Sequence, residues 1–181
     1  MKKSYRFGAA ALVFAAAGGM AEAQRAPQRG AANPTAGTFE LGKYGDWGAY
    51  KSGTGGTLVC FALSQPKDRV PKGLNRDPAY VFVSSRPGQN VRNEVSFIMG
   101  FAVKGGSDAS AAVDTARFTL EGKDKTAFVK NPADEARVIE ALKGGSRLTV
   151  KATSLRGNDT TDTYSLAGLA KALEKLTSDC K

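Results

Sequence analysis

Short apolar or alternating segments, separated by turn-forming residues, make up most of the chain from Phe39 onward. Strict alternation of apolar and polar positions, as at Leu148, Val150 and Ala152, is typical of a strand with one buried face. Continuous apolar runs are typical of strands that are buried on both faces. The strands that these patterns predict span residues 58–63, 79–84, 95–103, 117–120, 126–129, 147–153 and 160–164.

Glycine, asparagine and aspartate lie between these strands and predict tight turns. The segment 122–124 (Gly-Lys-Asp) predicts a hairpin turn, and the segment 157–159 (Gly-Asn-Asp) predicts the turn into the last strand. Gly100 lies inside an otherwise apolar run, where it predicts a β-bulge. Asp159 and Asp162 are interpreted as solvated turn residues, because the oxygen spacing of an EF-hand calcium loop is missing.

Two segments follow the spacing of amphipathic helices. Asn131 can cap the first helix, Pro132 suits its first position, and the glycine pair at 144–145 predicts its end. Ser165 is the predicted N-cap of the second helix. The apolar stripe of that second helix comprises Leu166, Leu169, Ala170, Leu173 and Leu176.

Many short strands with only two helices favour a sandwich over a parallel α/β sheet. We therefore predict a mainly β fold: a β-sandwich-like antiparallel domain with one short helix and one C-terminal amphipathic helix. Residues 39–181 are expected to form this single domain. Residues 24–38 are rich in Ala, Pro, Gly and Arg without an apolar period, which predicts a disordered N-terminal arm.

The N-terminal residues have the features of an export signal. A basic start precedes an apolar stretch over residues 8–19, and Ala21-Glu22-Ala23 has the small-x-small pattern that signal peptidase requires. We predict a signal peptide at residues 1–23. Because its apolar stretch is too short to span a bilayer, we expect no transmembrane segment in the mature chain. The predicted localisation is therefore export to the periplasm, with outer-membrane association or secretion as the further possibilities.

The chain has two cysteines, Cys60 and Cys180, and an even count in an exported protein predicts one disulfide. Cys180 lies four residues beyond Leu176, on the apolar stripe of the last predicted helix. Cys60 lies in a predicted buried strand. We expect the helix to lie across that strand, with the disulfide joining the two.

Composition excludes several classes of enzyme. The chain has no histidine, which removes Ser-His-Asp and Cys-His catalysis and the zinc sites that depend on imidazole ligands. No cofactor and no metal site are predicted. The net charge is +9, and it falls to +7 without the three Lys or Arg and one Glu of the predicted signal peptide. Such a charge favours polyanionic partners, although it is also what keeps many secreted domains in solution.

Basic residues are concentrated in the connections between residues 64 and 92, and clustered cations suit phosphate or sulfate groups. This candidate anionic-surface site consists of Lys67, Arg69, Lys72, Arg76, Arg86 and Arg92. An ordinary solvated surface is the alternative interpretation. Nucleic acid is not an expected partner, because the nearby Tyr80 and Phe82 fall within a predicted strand rather than among the exposed charges.

Several short motifs, in their order along the chain, resemble the invasion-associated locus B family of alphaproteobacterial exported proteins. The resemblance covers about residues 41–180. It rests on Gly45-Asp46-Trp47, Val59-Cys60-Phe61-Ala62, Asn93-Glu94-Val95-Ser96, Met99-Gly100-Phe101, Lys143-Gly144-Gly145, Leu148-Thr149-Val150, Ser154-Leu155-Arg156-Gly157 and the run 163–168. Several members carry a further cysteine pair that this chain lacks, which indicates a divergent member. The resemblance implies a β-sandwich-like envelope protein, without an established reaction or catalytic residues, from a family linked to entry into host cells.

Two functional hypotheses follow from the sequence. The first is a non-enzymatic envelope protein that binds an anionic envelope component or a host-cell surface. The second is a cofactor-free periplasmic hydrolase that uses a pair of carboxylates as acid and base. A concave site with two close Asp or Glu side chains would favour the enzyme. The sequence leaves the oligomeric state open.

Overall fold

The protein is described here by a computed structural model, which describes residues 34, 35, 37–106 and 109–181. The predicted signal peptide, and all of the predicted arm except residues 34, 35, 37 and 38, lie outside the described residues. The described residues belong to one compact unit, residues 31–181.

The described residues form eleven β-strands and two α-helices. The strands are β1 (Phe39–Tyr44), β2 (Trp47–Ser52), β3 (Val59–Ser64), β4 (Asp68–Val70), β5 (Tyr80–Arg86), β6 (Val91–Ile98), β7 (Ala109–Val113), β8 (Ala116–Lys123), β9 (Thr126–Val129), β10 (Arg147–Thr153) and β11 (Asp159–Ser165). The helices are α1 (Glu135–Gly144) and α2 (Leu169–Asp179). The strand-rich composition confirms the predicted mainly β fold class.

All the strands belong to one antiparallel sheet, in the order β1-β2-β3-β5-β6-β9-β8-β7-β10-β11-β4. Both halves of this sheet contribute to one cluster of buried side chains. Val83 and Phe97 from β5 and β6 belong to the same cluster as Val150 and Tyr164 from β10 and β11. The sheet therefore curves over itself around a shared core, as a sandwich does.

The predicted strand bounds are correct for β10, where apolar and polar residues alternate strictly. They are wrong for β6, where the chain leaves the sheet at Ile98. Strand β10 has the predicted bounds, 147–153. The predicted strand 95–103 is wrong, since β6 spans Val91–Ile98. Gly100 is not a bulge but lies beyond the strand, at a φ of +73°. A Cβ at this position would lie 2.1 Å from the carbonyl oxygen of Asp77, so the glycine permits two chain segments to touch.

The first helix begins later than predicted, at Glu135, because the segment that Asn131 caps is a separate 3₁₀ turn. The Asn131 side chain accepts a hydrogen bond from the backbone N–H of Ala133, and a 3₁₀ turn at Pro132–Asp134 precedes α1. The predicted hairpin turn at 122–124 is wrong by two residues. Strand β8 continues to Lys123, and the turn consists of residues 124 and 125.

The start of the second helix differs from the prediction. Ser165 is not its N-cap but the last residue of β11, and α2 begins at Leu169. Gly168 precedes the helix at a φ of +98°, where a Cβ would lie 1.8 Å from the carbonyl oxygen of Tyr44. The helix therefore starts where a glycine lets the chain pass against the turn between β1 and β2.

The predicted disulfide is confirmed. Cys60 in β3 and Cys180 at the end of α2 are bonded, with their Cα atoms 6.3 Å apart. Helix α2 packs against β1, β2 and β3, so it lies across the strand that contains Cys60, as predicted. Among the described residues, no helix has the length and apolar character that crossing a membrane requires.

Candidate anion-binding surface

The six predicted cations fall into two groups at opposite ends of β5. Lys67, Arg69, Lys72 and Arg76 precede the strand, whereas Arg86 and Arg92 lie at its far end. A seven-residue strand separates the two groups by roughly 20 Å, at about 3.3 Å per residue. The structure therefore does not bring all six together in one patch.

The first group is organised around Asp162, whose side chain is fully buried in β11. The interpretation of Asp162 as a solvated turn residue is therefore wrong. The Arg69 Nε donates to both carboxylate oxygens of Asp162 at 3.1 Å, and the Arg76 Nη1 donates to Oδ1 at 3.3 Å. A buried carboxylate needs such partners, because an isolated charge in the interior is costly.

The two arginines also hold the connection between β4 and β5. Arg69 donates from Nη1 to the carbonyl oxygen of Asp77 at 2.8 Å and from Nη2 to that of Met99 at 2.9 Å. Arg76 donates from Nη2 to the carbonyl oxygen of Pro71 at 3.1 Å. Their side chains are only 21% and 8% exposed. Arg69 and Arg76 thus act first as structural groups that fix this connection.

Burial raises the pKa of the Asp162 carboxyl, and the hydrogen bonds and charges of Arg69 and Arg76 oppose that shift. Tyr164 lies two residues further along β11, and burial raises the pKa of its hydroxyl, with the Asp162 carboxylate adding to the effect. At neutral pH we take Asp162 as ionised, because two guanidinium groups contact its oxygens directly.

Lys67 and Lys72 are the exposed members of the first group, at 58% and 73%. Each forms an ion pair on the surface, Lys67 with Asp46 and Lys72 with Asp68. The hydrogen bond from Lys67 to Asp46 lowers the pKa of that carboxyl. Exposed pairs of this kind contribute little to stability, so these lysines can exchange an aspartate for another anion.

In the second group, Arg86 is already paired with a neighbouring carboxylate, whereas Arg92 is exposed. Arg86 donates from Nη2 to both oxygens of Glu94, at 3.0 and 2.9 Å. Arg92 is exposed and lines a shallow cleft together with Glu135 and Glu140 on α1. Burial raises the pKa of Glu135, and the charge of Glu94 adds to the shift. Two carboxylates, those of Glu135 and Glu140, therefore line this cleft.

A second cleft, of about 420 Å³, opens beside the first group of cations. Arg76 lines it, together with Lys125 from the turn between β8 and β9 and Arg156 from the turn between β10 and β11. The sequence prediction missed Lys125 and Arg156 because they are distant in the chain. Each lies one residue outside a predicted turn, at 122–124 or 157–159, and this was the only local signal. Asp77 is the single acid among the described residues that line this cleft.

The described residues contain no group of three or more His, Cys, Asp or Glu side chains that could hold a metal ion. The side chains that line the cleft beside Arg76 include guanidinium, ammonium and hydroxyl groups. Guanidinium groups bind planar or tetrahedral oxyanions through paired hydrogen bonds.

Comparisons with known proteins agree with this architecture. The chain matches the family described as Invasion associated locus B (IalB) protein over residues 51–177. Its fold is similar to that in the crystal structure of invasion associated protein B from Bartonella henselae, with a TM-score of 0.54 and 18% sequence identity. That similarity covers 77% of this chain and 95% of the other. No curated protein matches the chain. The family match spans more than half of the sequence and confirms the resemblance noted in its motifs, so the chain belongs to the invasion associated locus B family.

Proposed function

We propose that this protein is an exported, non-enzymatic envelope protein that binds an anionic envelope component or host-cell surface. The binding residues are four exposed cations: Lys67 and Lys72, which flank β4, and Lys125 and Arg156, which line the cleft beside Arg76. Membership of the invasion associated locus B family supports an envelope location and an association with invasion. The predicted signal peptide supports export. The observation that carries the proposal is that exposed cations from three chain segments lie near Asp162 and its two arginines. Lys67 and Lys72 flank β4, which contains Arg69, and Lys125 and Arg156 line the cleft beside Arg76.

Physical considerations favour binding by exchange of ion pairs. The lysines hold surface aspartates weakly, and an exposed pair contributes only about 0–1 kcal/mol. A cation near an anionic membrane surface contributes on the order of 1 kcal/mol at physiological salt, and less as the ionic strength rises. An extended anionic surface engages several cations at once, which a single aspartate cannot do.

The test is cosedimentation of the exported chain with vesicles of phosphatidylcholine alone or with added phosphatidylglycerol, at low and high salt. We expect binding only to the anionic vesicles, and we expect high salt to weaken it. A variant with Lys67→Gln, Lys72→Gln, Lys125→Gln and Arg156→Gln should lose at least tenfold in affinity, with an unchanged melting temperature.

The matched control removes four exposed cations elsewhere, through Arg117→Gln, Lys130→Gln, Lys151→Gln and Lys171→Gln. Both variants lower the net charge by the same amount. The control should bind within about threefold of the wild type. Equal losses in the two variants would show that only net charge matters, and absence of wild-type binding at low salt would refute the proposal.

A further inference from the structure

We infer that the cleft beside Arg76 is a binding site for a small amphiphile, with a phosphate or carboxylate head group and a short apolar part. The inference concerns a monomeric ligand inside the cleft. It therefore goes beyond the surface binding proposed above and does not depend on it.

Arg76 supplies a fixed donor at the wall of the cleft. Its side chain is 8% exposed and is held by Asp162 and by the carbonyl oxygen of Pro71. Those two bonds use one N–H of Nη1 and one of Nη2, out of the five N–H groups of a guanidinium. A buried, oriented guanidinium loses little conformational freedom when it binds an oxyanion, which makes it a better anchor than a mobile lysine.

The charge balance of the cleft is positive. Arg76, Lys125 and Arg156 line it against the single carboxylate of Asp77. The Lys125 Nζ lies 2.7 Å from Asp77 Oδ2, and both side chains are exposed, so this pair can open at little cost. Three cations on separate segments thus face one space, and an entering anion would neutralise charge there.

Apolar side chains also line the cleft. Leu155 is 66% exposed, although it is held in place by a hydrogen bond from its N–H to the carbonyl oxygen of Ala102. Leu74 and Phe101 also line the cleft and are half-buried. An apolar ligand group would cover side chains that otherwise face water, which the hydrophobic effect favours. The paired arrangement of cations and apolar side chains specifies an amphiphile rather than a simple ion.

The size of the cleft limits the ligand. A volume of about 420 Å³ lies at the lower end of the range, about 300–1,000 Å³, in which proteins bind small organic molecules. The site accommodates a head group with a short chain. A diacyl lipid with its full tails would not fit.

The test is isothermal titration calorimetry of the exported chain with hexyl phosphate and with hexanoate. Inorganic phosphate supplies the head group alone, and hexanol supplies the apolar part alone. We expect saturable binding of hexyl phosphate and hexanoate with one site per chain, and at least tenfold weaker binding of phosphate and hexanol. Binding of inorganic phosphate as tight as that of hexyl phosphate would overturn the inference, and so would the absence of saturable binding.

Substitutions of exposed residues locate the ligand without endangering the fold. Arg156→Gln and Leu155→Ser should each weaken hexyl phosphate binding at least fivefold. The matched controls are Arg117→Gln and Phe39→Ser, since Arg117 is exposed elsewhere and Phe39 is as exposed as Leu155. Unchanged affinity in both cleft variants would refute the site. The vesicle assay tests the proposed surface binding independently of the cleft. Leu155→Ser removes no charge, so it should weaken hexyl phosphate binding and leave vesicle binding intact.

Discussion

The indole Nε1 of Trp47 donates a hydrogen bond to the carbonyl oxygen of Ser165, 3.0 Å away and 118 positions later in the chain. Trp47 begins β2 and Ser165 ends β11, and seven strands separate β2 from β11 in the sheet. The bond thus joins two distant parts of the sheet directly. Trp47 is 1% exposed, so it serves as an anchor of the core rather than as a surface for a ligand.

Replacing Trp47 with phenylalanine should reduce the free energy of unfolding by about 1–3 kcal/mol. The substitution removes the donor and leaves the carbonyl oxygen of Ser165 without it, and it also empties part of the core. Urea unfolding followed by circular dichroism measures the effect, since the only tryptophan is lost. The control is Phe39→Leu at an exposed position, which should change stability by less than about 0.5 kcal/mol. A loss from Trp47→Phe as small as that of the control would contradict the anchoring role.

Replacing Asp162 with asparagine should cost about 3–5 kcal/mol, because Arg69 and Arg76 would remain in the interior without their counter-charge. The connection between β4 and β5 should then loosen. Limited trypsin digestion with mass spectrometry should show faster cleavage after Arg76 than in the wild type. Asp159→Asn, an exposed substitution in the same strand, is the control. Wild-type stability and an unchanged digestion pattern in the Asp162→Asn variant would show that the cluster does not organise this connection.

Gly100→Ala should destabilise the protein by more than about 1–2 kcal/mol. The substitution combines the strain of a positive φ with a clash against the backbone of Asp77. Gly105→Ala is a matched control nearby, because a Cβ at Gly105 meets no atom within 4 Å. Thermal unfolding of both variants gives the comparison. Equal melting temperatures would mean that the contact between Gly100 and Asp77 is not required.

Cys180→Ser should reduce the free energy of unfolding by roughly 2–4 kcal/mol, because the bond closes a long loop and restricts the unfolded chain. Non-reducing peptide mapping of the exported protein should show Cys60 linked to Cys180. Reduction of the wild type should bring its stability close to that of the variant. Two free thiols in protein recovered from the periplasm would contradict the prediction.

Sequence patterns predicted the strands that have a clear apolar or alternating pattern of their own. In strand β10, apolar and polar residues alternate strictly, which gives the strand one apolar face. Its predicted bounds, 147–153, were correct. Strand β7 (Ala109–Val113) was not predicted, because alanine has a weak strand preference and the place of this strand in the sheet depends on pairing with β8 and β10. The helix start at Leu169 was missed for a similar reason. It depends on Tyr44, which is far away in the chain.

The candidate site was predictable only in part. The concentration of cations before β5 is visible in the sequence, whereas the buried partner of Arg69 and Arg76 is not. Asp162 lies between Thr160 and Tyr164 on the same face of β11. The tyrosine was the one local sign that this face is buried. A carboxylate in an alternating polar segment otherwise resembles a surface residue. Only the folded arrangement shows which cations are structural and which remain exposed.

The bond between Cys60 and Cys180 also sets an order of events during synthesis. The two residues are 120 positions apart, so the thiol of Cys60 leaves the ribosome long before its partner exists. Any chain that stops within this interval lacks Cys180 and leaves the Cys60 thiol without its partner, whatever part of the sheet it has formed. After oxidation, a finished chain therefore has a disulfide at Cys60, whereas an interrupted chain cannot form this bond.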